Sequence, residues 1–219
     1  ELGNKTGIST TLNYIGNAYG KKGDIDIALD YFERSLKIDE ELGDKSGMGV
    51  CLTNIGGVYN HKGDLDRALD YFERSLKIYE EIGDKYVMGF SLYGIGQVYY
   101  KKGDLDRALD YYEMVFAIDE DFGDKGDMEY SLKSIGQVYY DKGDYEKASE
   151  YLEKSLALQK EIGEKAIEFE TTTYLYLAYK HLGKDYDVNE IHSLIKETEN
   201  IEFELNYAIY QLLEDKSYL

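Results

Sequence analysis

Apolar residues recur along the chain at the three- and four-residue spacing of an amphipathic helix. Between Gly63 and Gly83, one apolar stripe consists of Leu65, Ala68, Leu69, Phe72, Leu76 and Tyr79. Asp64 follows Gly63 and can cap a helix N-terminus with its carboxylate. Gly83 stands where a left-handed C-cap favours glycine. The pattern therefore predicts a helix between these glycines, which we call helix B.

The following segment predicts a second amphipathic helix, helix A, which Asp84 begins and Gly103 ends. Its inner stripe consists of Met88, Leu92, Ile95, Gly96 and Tyr99. A glycine such as Gly96 inside a helix costs about 1 kcal/mol relative to alanine. The counterparts of Gly96 are Gly16, Gly56 and Gly136. We expect a neighbouring helix to approach these glycines closely, since a missing side chain permits such an approach.

This pair of helices repeats along the chain with a period of forty residues. The decapeptide KGDLDRALDY stands at 62–71 and again at 102–111, with related versions at 22–31 and 142–151. Residues 43–82 and 83–122 are identical at 23 of 40 positions. Neither helix can bury its stripe alone, so the sequence predicts an array of stacked helix pairs.

The period places an array over residues 1–183. Its repeats are predicted at about 4–43, 44–83, 84–123, 124–163 and, in degenerate form, 164–203. Helices predicted at about 187–198 and 201–214 make residues 184–219 a cap or a bridge to a following domain. Residues 1–3 align with the tail of a helix B, so we expect the chain to start inside an array.

Certain positions of the unit carry a family resemblance. In the second repeat they are Leu52, Ile55, Gly56 and Tyr59 on helix A, then Ala68, Phe72 and Ser75 on helix B. This pattern resembles the tetratricopeptide repeat, a helix–turn–helix unit of usually 34 residues. The longer period and the missing proline make the chain similar to the subclass of kinesin light chains, Pins-like adaptors and prokaryotic regulatory arrays. The resemblance implies an all-α, right-handed superhelical solenoid of antiparallel helix pairs.

Net charge, the length of apolar runs and the cysteine count limit which partners and which compartment the sequence favours. The net charge is −19, and so acidic a surface repels phosphate backbones, which disfavours a nucleic acid partner. No apolar run approaches the roughly 18 residues of a membrane span, so no membrane partner is predicted. Cys51 is the single cysteine; it predicts a small buried side chain and fits a reducing, cytoplasmic compartment.

The sequence offers no reactive constellation. His61 and His181 are predicted to lie three helix pairs apart, and His192 lacks a metal-binding neighbour in sequence. Asp64 and Asp66 resemble part of a calcium loop, but helix capping accounts for Asp64 better. We therefore predict no catalytic residue, no metal and no cofactor, and a chain that is not an enzyme.

The remaining candidate is a surface. In the resembled family the helices A line a concave groove, and carrying its positions over gives a set of candidate partner-binding residues. They are Asn13, Tyr14, Asn17, Thr53, Asn54, His61, Phe90, Tyr93, Gln97, Tyr100, Tyr130, Lys133, Gln137, Tyr140 and Tyr174. Amides that can bind a peptide backbone alternate there with aromatic rings. The alternative is that tyrosines, chiefly Tyr100 and Tyr140, pack between repeats.

Three functions remain open. The leading one is a protein–protein interaction scaffold that holds a peptide or helix of a partner in the groove. Chaperone-binding members of the resembled family clamp a C-terminal carboxylate with cationic side chains, and the corresponding positions here hold Asn13, Phe90 and Gly94. The comparison therefore implies an internal, partly apolar segment as the expected ligand. The alternatives are a regulatory or sensory arm of a larger kinase, cyclase or protease, and a self-assembly module whose ends associate.

Overall fold

The computed structural model describes residues 2–163, 168–197 and 203–214. Helices account for nearly all of these residues, and no strand occurs among them. The helices are α1 (Leu2–Lys21), α2 (Ile25–Leu42), α3 (Lys45–His61), α4 (Leu65–Ile82), α5 (Lys85–Lys101), α6 (Leu105–Phe122), α7 (Lys125–Asp141), α8 (Tyr145–Ile162), α9 (Glu168–Leu182), α10 (Val188–Glu197) and α11 (Phe203–Leu213). The predicted all-α class is confirmed.

The chain divides into two compact units, Glu1–Ile118 and Asp119–Leu219. In the first unit α1 packs on α2, α3 on α4, and α5 on both α3 and α4. In the second unit α7 packs on α8, α8 on α9, and α9 on α10 and α11. Because connections of two or three residues join most successive packed helices, those neighbours run antiparallel.

The predicted helix ends are present. The Asp64 carboxylate accepts a hydrogen bond from the Arg67 amide at 3.2 Å, and Gly83 adopts the left-handed conformation with φ of 73°. Asp24 occupies the equivalent position before α2 but makes no side-chain capping bond. Gly3 differs from its alignment with Gly43, because it lies in the first turn of α1 rather than directly after the last residue of a helix.

The helix A glycines lie against large side chains of helix B, as predicted. A Cβ atom built on Gly56 would lie 2.9 Å from the Phe72 ring, and one on Gly16 would lie 2.6 Å from the Phe32 ring. Gly136 meets Leu152 in the same way in the second unit. The glycine therefore allows helices A and B of one repeat to pack at a distance that any side chain would prevent.

Phe72 meets a second glycine from the next repeat. A Cβ atom on Gly94 of α5 would overlap the same ring that lies against Gly56 of α3. Phe72 is only 3% exposed, and it belongs to one core cluster with Phe32, Ile55 and Ile95. The ring thus joins helix A of its own repeat to helix A of the following repeat.

The high tyrosine content has a repeated structural role. Tyr59 at the end of α3 stacks on Tyr71 of α4 with ring centroids 5.5 Å apart, and the Arg67 guanidinium lies 4.3 Å from the Tyr59 ring centroid. Tyr99 and Tyr111 form the same stack at 5.6 Å. These pairs bring helix A to helix B near the turn that connects them, and they add aromatic and cation–π attraction to the apolar contact.

A layer of buried polar side chains accompanies the apolar contacts in the second unit. Ser131 donates to the Asp119 carboxylate at 2.6 Å, and Asp119 is only 3% exposed. Burial raises the pKa of Asp119 from 3.8 to about 6, and the nearby Asp127 and Asp124 add to the rise while the Ser131 bond opposes it. At neutral pH the folded chain therefore holds a carboxylate in an environment that disfavours its charge.

The degenerate end of the array forms its own core. Tyr176 of α9 stands where earlier repeats carry the helix A glycine, and it packs against Tyr186 with ring centroids 5.4 Å apart. Ile191 of α10 and Ile209 of α11 are fully buried in the same cluster. The helices predicted at about 187–198 and 201–214 are thus present at 188–197 and 203–213, while residue Ile201 of the predicted stripe lies outside the described residues.

We predict opposite effects for two alanine substitutions in the first unit. Gly94→Ala places a methyl group against the Phe72 ring and should lower the free energy of unfolding by about 1–2 kcal/mol. Gly57→Ala, at a helical glycine with open space around it, should raise it by about 0.5–1 kcal/mol. Urea denaturation measures both, and equal shifts of the two variants in one direction would contradict the packing described here.

We predict that Asp119→Asn stabilises the chain at pH 7. The folded pKa lies above the unfolded value, so the wild type binds a proton more tightly when folded and loses stability as the pH rises from about 4 through about 6. The amide carries no charge and removes that loss. Thermal denaturation of both proteins from pH 4 to pH 7 should show curves that diverge with rising pH; parallel curves would contradict the raised pKa.

Candidate ligand-binding groove

The helices A of the first unit line a groove of about 450 Å³, with helix B residues at its base. We call this space the ligand groove. Seven of the residues predicted from the sequence line it: Asn17, Thr53, Asn54, His61, Phe90, Tyr93 and Gln97. They come from α1, α3 and α5, at positions separated by about one repeat. The forty-residue period thus gathers residues that are far apart along the chain.

The base of the ligand groove was not among the predicted site residues. It consists of the core residues Phe72, Val58 and Phe32 and of the partly buried Ile25. Gly20, Gly57 and Gly94 line it as well. The sequence did contain a signal for the two phenylalanines, because they hold the helix B aromatic position of the repeat.

The amide side chains form bonds between successive helices A. Asn54 donates through Nδ2 to Oδ1 of Asn13 at 2.6 Å, and Asn13 donates to the Cys51 sulfur at 3.1 Å. Asn60 donates to Oε1 of Gln97 at 3.0 Å. Some of the amide groups that were predicted to bind a peptide backbone therefore form hydrogen bonds between successive repeats instead.

The ligand groove differs in charge from the chain as a whole. Among the described residues that line it, none is Asp or Glu, and Lys21 contributes a cation. The chain carries a net charge of −19. A ligand in this groove therefore meets aromatic rings, amides and one ammonium group rather than the carboxylates that cover the helix B faces.

Three predicted residues of the first unit lie outside the lining. Tyr14 is 71% exposed on α1, while Asn13 is part-buried in the amide bonds. Tyr100 is half-buried near the end of α5. Cys51 is fully buried as predicted, and burial raises the pKa of its thiol to about 12, so it stays protonated at neutral pH.

The predicted residues of the second unit are largely engaged in packing. The Lys133 ammonium lies 2.6 Å from the Glu170 carboxylate, and Gln137 donates to the other oxygen of that carboxylate at 3.0 Å. Lys133 is only 9% exposed. The predicted cation is thus buried and paired with a carboxylate that is 35% exposed, and its charge is neutralised within the chain.

Two predicted tyrosines of the second unit pack on each other. The Tyr140 and Tyr174 ring centroids are 5.7 Å apart, and Tyr140 also meets the His181 ring. Burial raises the pKa of Tyr140 to about 12 and that of Tyr174 further above its usual value. For Tyr140 the structure therefore shows the packing between repeats that was the alternative interpretation. Tyr130 is 39% exposed.

No arrangement for metal or membrane chemistry is found in the part of the chain that the structure describes. No three His, Cys, Asp or Glu side chains come together there in a way that could hold a metal ion. No described helix has both the length and the apolar character needed to cross a bilayer.

Stacked antiparallel helix pairs that recur at a fixed period are the architecture of helical repeat proteins. The family model described as tetratricopeptide repeat matches residues 7–81, 49–121 and 87–161. This chain belongs to the tetratricopeptide repeat family, and the resemblance inferred from the sequence is confirmed. No curated protein matches the chain.

Solved structures share the fold at low sequence identity. A kinesin light chain-like protein of Podosopora anserina with nearly identical TPR-like repeats is 16% identical, covers 96% of this chain and 98% of its own, and has a TM-score of 0.66. A STAND signal transduction ATPase from Pyrococcus horikoshii with a tetratricopeptide repeat sensor is 20% identical and has a TM-score of 0.73; the alignment spans 96% of this chain and 33% of the ATPase. A Rap protein in complex with Competence and Sporulation Factor is 18% identical and has a TM-score of 0.75; the alignment spans 95% of this chain and 55% of the Rap protein.

We predict that the Lys133–Glu170 pair contributes to stability. Glu170→Gln removes the carboxylate charge that faces the buried ammonium and should lower the free energy of unfolding by about 1–3 kcal/mol. Lys133→Met removes the buried charge itself and should cost less. Chemical denaturation compares the two variants, and a larger loss for Lys133→Met would contradict the buried position of the ammonium.

Proposed function

We propose that this chain is a protein-interaction scaffold, and not itself an enzyme, that holds an extended, partly apolar segment of a partner protein in the ligand groove. The observation that carries the proposal is the convergence of seven predicted helix A residues on one open, carboxylate-free groove. Tetratricopeptide repeats are generally protein-interaction modules, and the proposal assigns that general role to this groove.

The chemistry of the lining supports an extended protein segment as the ligand. Phe90 is 47% exposed, and with the half-buried Tyr93 it offers aromatic area that can be covered at little conformational cost. Asn17 is exposed on α1, and Asn54 keeps acceptor capacity beyond its bond to Asn13. Aromatic rings and amides together suit a ligand with apolar side chains and an unpaired backbone.

The comparisons support ligand binding by arrays of this fold. The similar Rap protein was solved with Competence and Sporulation Factor bound. The similar STAND protein carries its tetratricopeptide repeats as a sensor, and it favours a second candidate function, a sensory arm of a larger protein. In that case the same groove would receive the signal. Self-association through the array ends and a cytoplasmic location stay predictions from the sequence.

We predict that the chain selects peptides from a library of random 15-residue sequences, and that Phe90→Ser reduces their affinity at least tenfold. The substitution removes exposed aromatic area from the ligand groove and leaves the buried core in place. Binding is measured by fluorescence anisotropy with labelled copies of the selected peptides. Asn17→Ala should weaken the same peptides by a smaller factor, because it removes one amide at the edge of the groove.

The matched control is Phe122→Ser, which makes the same change at a phenylalanine that is 54% exposed on α6 and absent from the groove lining. The selected peptides should bind the Phe122→Ser variant with the same affinity as they bind the wild type. Equal weakening by Phe90→Ser and Phe122→Ser, or a wild-type chain that selects no peptide, would reject the ligand groove as the binding site.

A further inference from the structure

Gly57 occupies a position in α3 where neighbouring repeats carry amide side chains. The equivalent residues, forty positions apart, are Asn17, Gln97 and Gln137. Gly57 lies well inside the helix and does not share the left-handed conformation of the glycines that end helices. Backbone geometry therefore does not require glycine here, and glycine is among the least favourable residues inside a helix.

Packing does not require glycine at this position either. A Cβ atom built on Gly57 would meet nothing within 4 Å, whereas one on the adjacent Gly56 would press on the Phe72 ring. Gly94 across the groove is restricted by the same ring. Of these three glycines, Gly56 and Gly94 are explained by the core, and Gly57 faces the open space of the ligand groove.

The missing side chain at Gly57 enlarges the ligand groove, because Gly57 is part of the lining and a Cβ atom there meets nothing within 4 Å. The base there is formed by Phe72, which is 3% exposed, and by Val58, which is 7% exposed, while Phe90 and Tyr93 stand on the α5 side. An amide like that of Gln97 at position 57 would extend into this space. The volume of about 450 Å³ falls within the range of pockets that bind small ligands.

Charge complementarity limits what this space can accept. The described lining contains no carboxylate, and its cation is Lys21 on α1. A cationic side chain would lose its hydration against apolar rings and find no anion to replace it. An uncharged, bulky side chain pays no such cost, and it gains from covering the Phe90 ring, which is 47% exposed.

We propose that the space above Gly57 is an anchor pocket, which takes one bulky apolar side chain, aromatic or branched aliphatic, from the partner segment. This inference rests on the proposed function and adds the class of side chain and the residue that sets it. Gly57 acts as the specificity-determining position, because a side chain there would occupy the place of the anchor.

The pocket can be tested with single amino-acid amides. The probes are N-acetyl-tryptophan amide, N-acetyl-leucine amide and N-acetyl-arginine amide, titrated into the ¹⁵N-labelled full chain. We expect the tryptophan and leucine amides to shift the backbone signals of Gly94 and Phe90 and the side-chain amide of Asn54, with saturation in the millimolar range. The arginine amide should leave these signals in place; shifts by all three probes alike would overturn the apolar class.

Gly57→Leu fills the pocket and should weaken the tryptophan and leucine amides at least tenfold. The matched control is Gly7→Leu, since Gly7 is an exposed glycine of α1 whose Cβ also meets nothing within 4 Å and which is absent from the groove lining. That variant should bind the probes as the wild type does. If Gly57→Leu disturbs the dispersed amide spectrum, Gly57→Val replaces it. Unchanged binding by the folded Gly57 variant would overturn the pocket.

The library-selected peptides separate this inference from the proposed function. If the pocket is correct, the selected sequences share one bulky apolar residue, and Gly57→Leu weakens them at least tenfold. Peptides that bind wild type and Gly57→Leu equally, but are weakened by Phe90→Ser, would overturn the anchor pocket and leave the groove function standing. A wild-type chain that selects no peptide would count against the groove function itself.

Discussion

The contact of a helix A glycine with a large helix B side chain is the constraint on which the first unit depends. Because Gly56 has no side chain, the Phe72 ring can lie directly against the α3 backbone, and Gly94 admits the other side of the same ring. The glycine is unfavourable for the isolated helix, but burial of an entire aromatic ring outweighs that cost. The contact recurs from one helix pair to the next, so its glycine and its large side chain recur every forty residues in the sequence.

The same contact positions the ligand groove. Fixing α3 and α5 on either side of Phe72 places their exposed residues next to each other, so Asn54 and Phe90 face one space although 36 positions separate them. The base of the groove is therefore the core itself, viewed where side chains are absent. In the proposed account, a binding site arises where one repeat omits a side chain that its neighbours keep.

Periodic features of the fold could be predicted from the sequence because they depend on residues within one repeat. The helix ends at Asp64 and Gly83 and the close approach at Gly56 follow from local rules, and all three are present. Features that join one repeat to the next were harder to predict. The bond from Asn54 to Asn13 and the pairing of Lys133 with Glu170 depend on which side chains the neighbouring helix presents. From the pattern of a single helix A, each of these residues can be predicted only to be polar and to face outward, since its partner lies on another helix.

In the proposed complex, a partner segment lies in the ligand groove between α1, α3 and α5. A crystal structure of the chain with one library-selected peptide would locate that segment. We expect peptide density along these three helices, with a bulky apolar side chain of the peptide within van der Waals distance of Phe72 and over the Gly57 Cα. Density for the peptide on the helix B faces, or on the second unit alone, would contradict it.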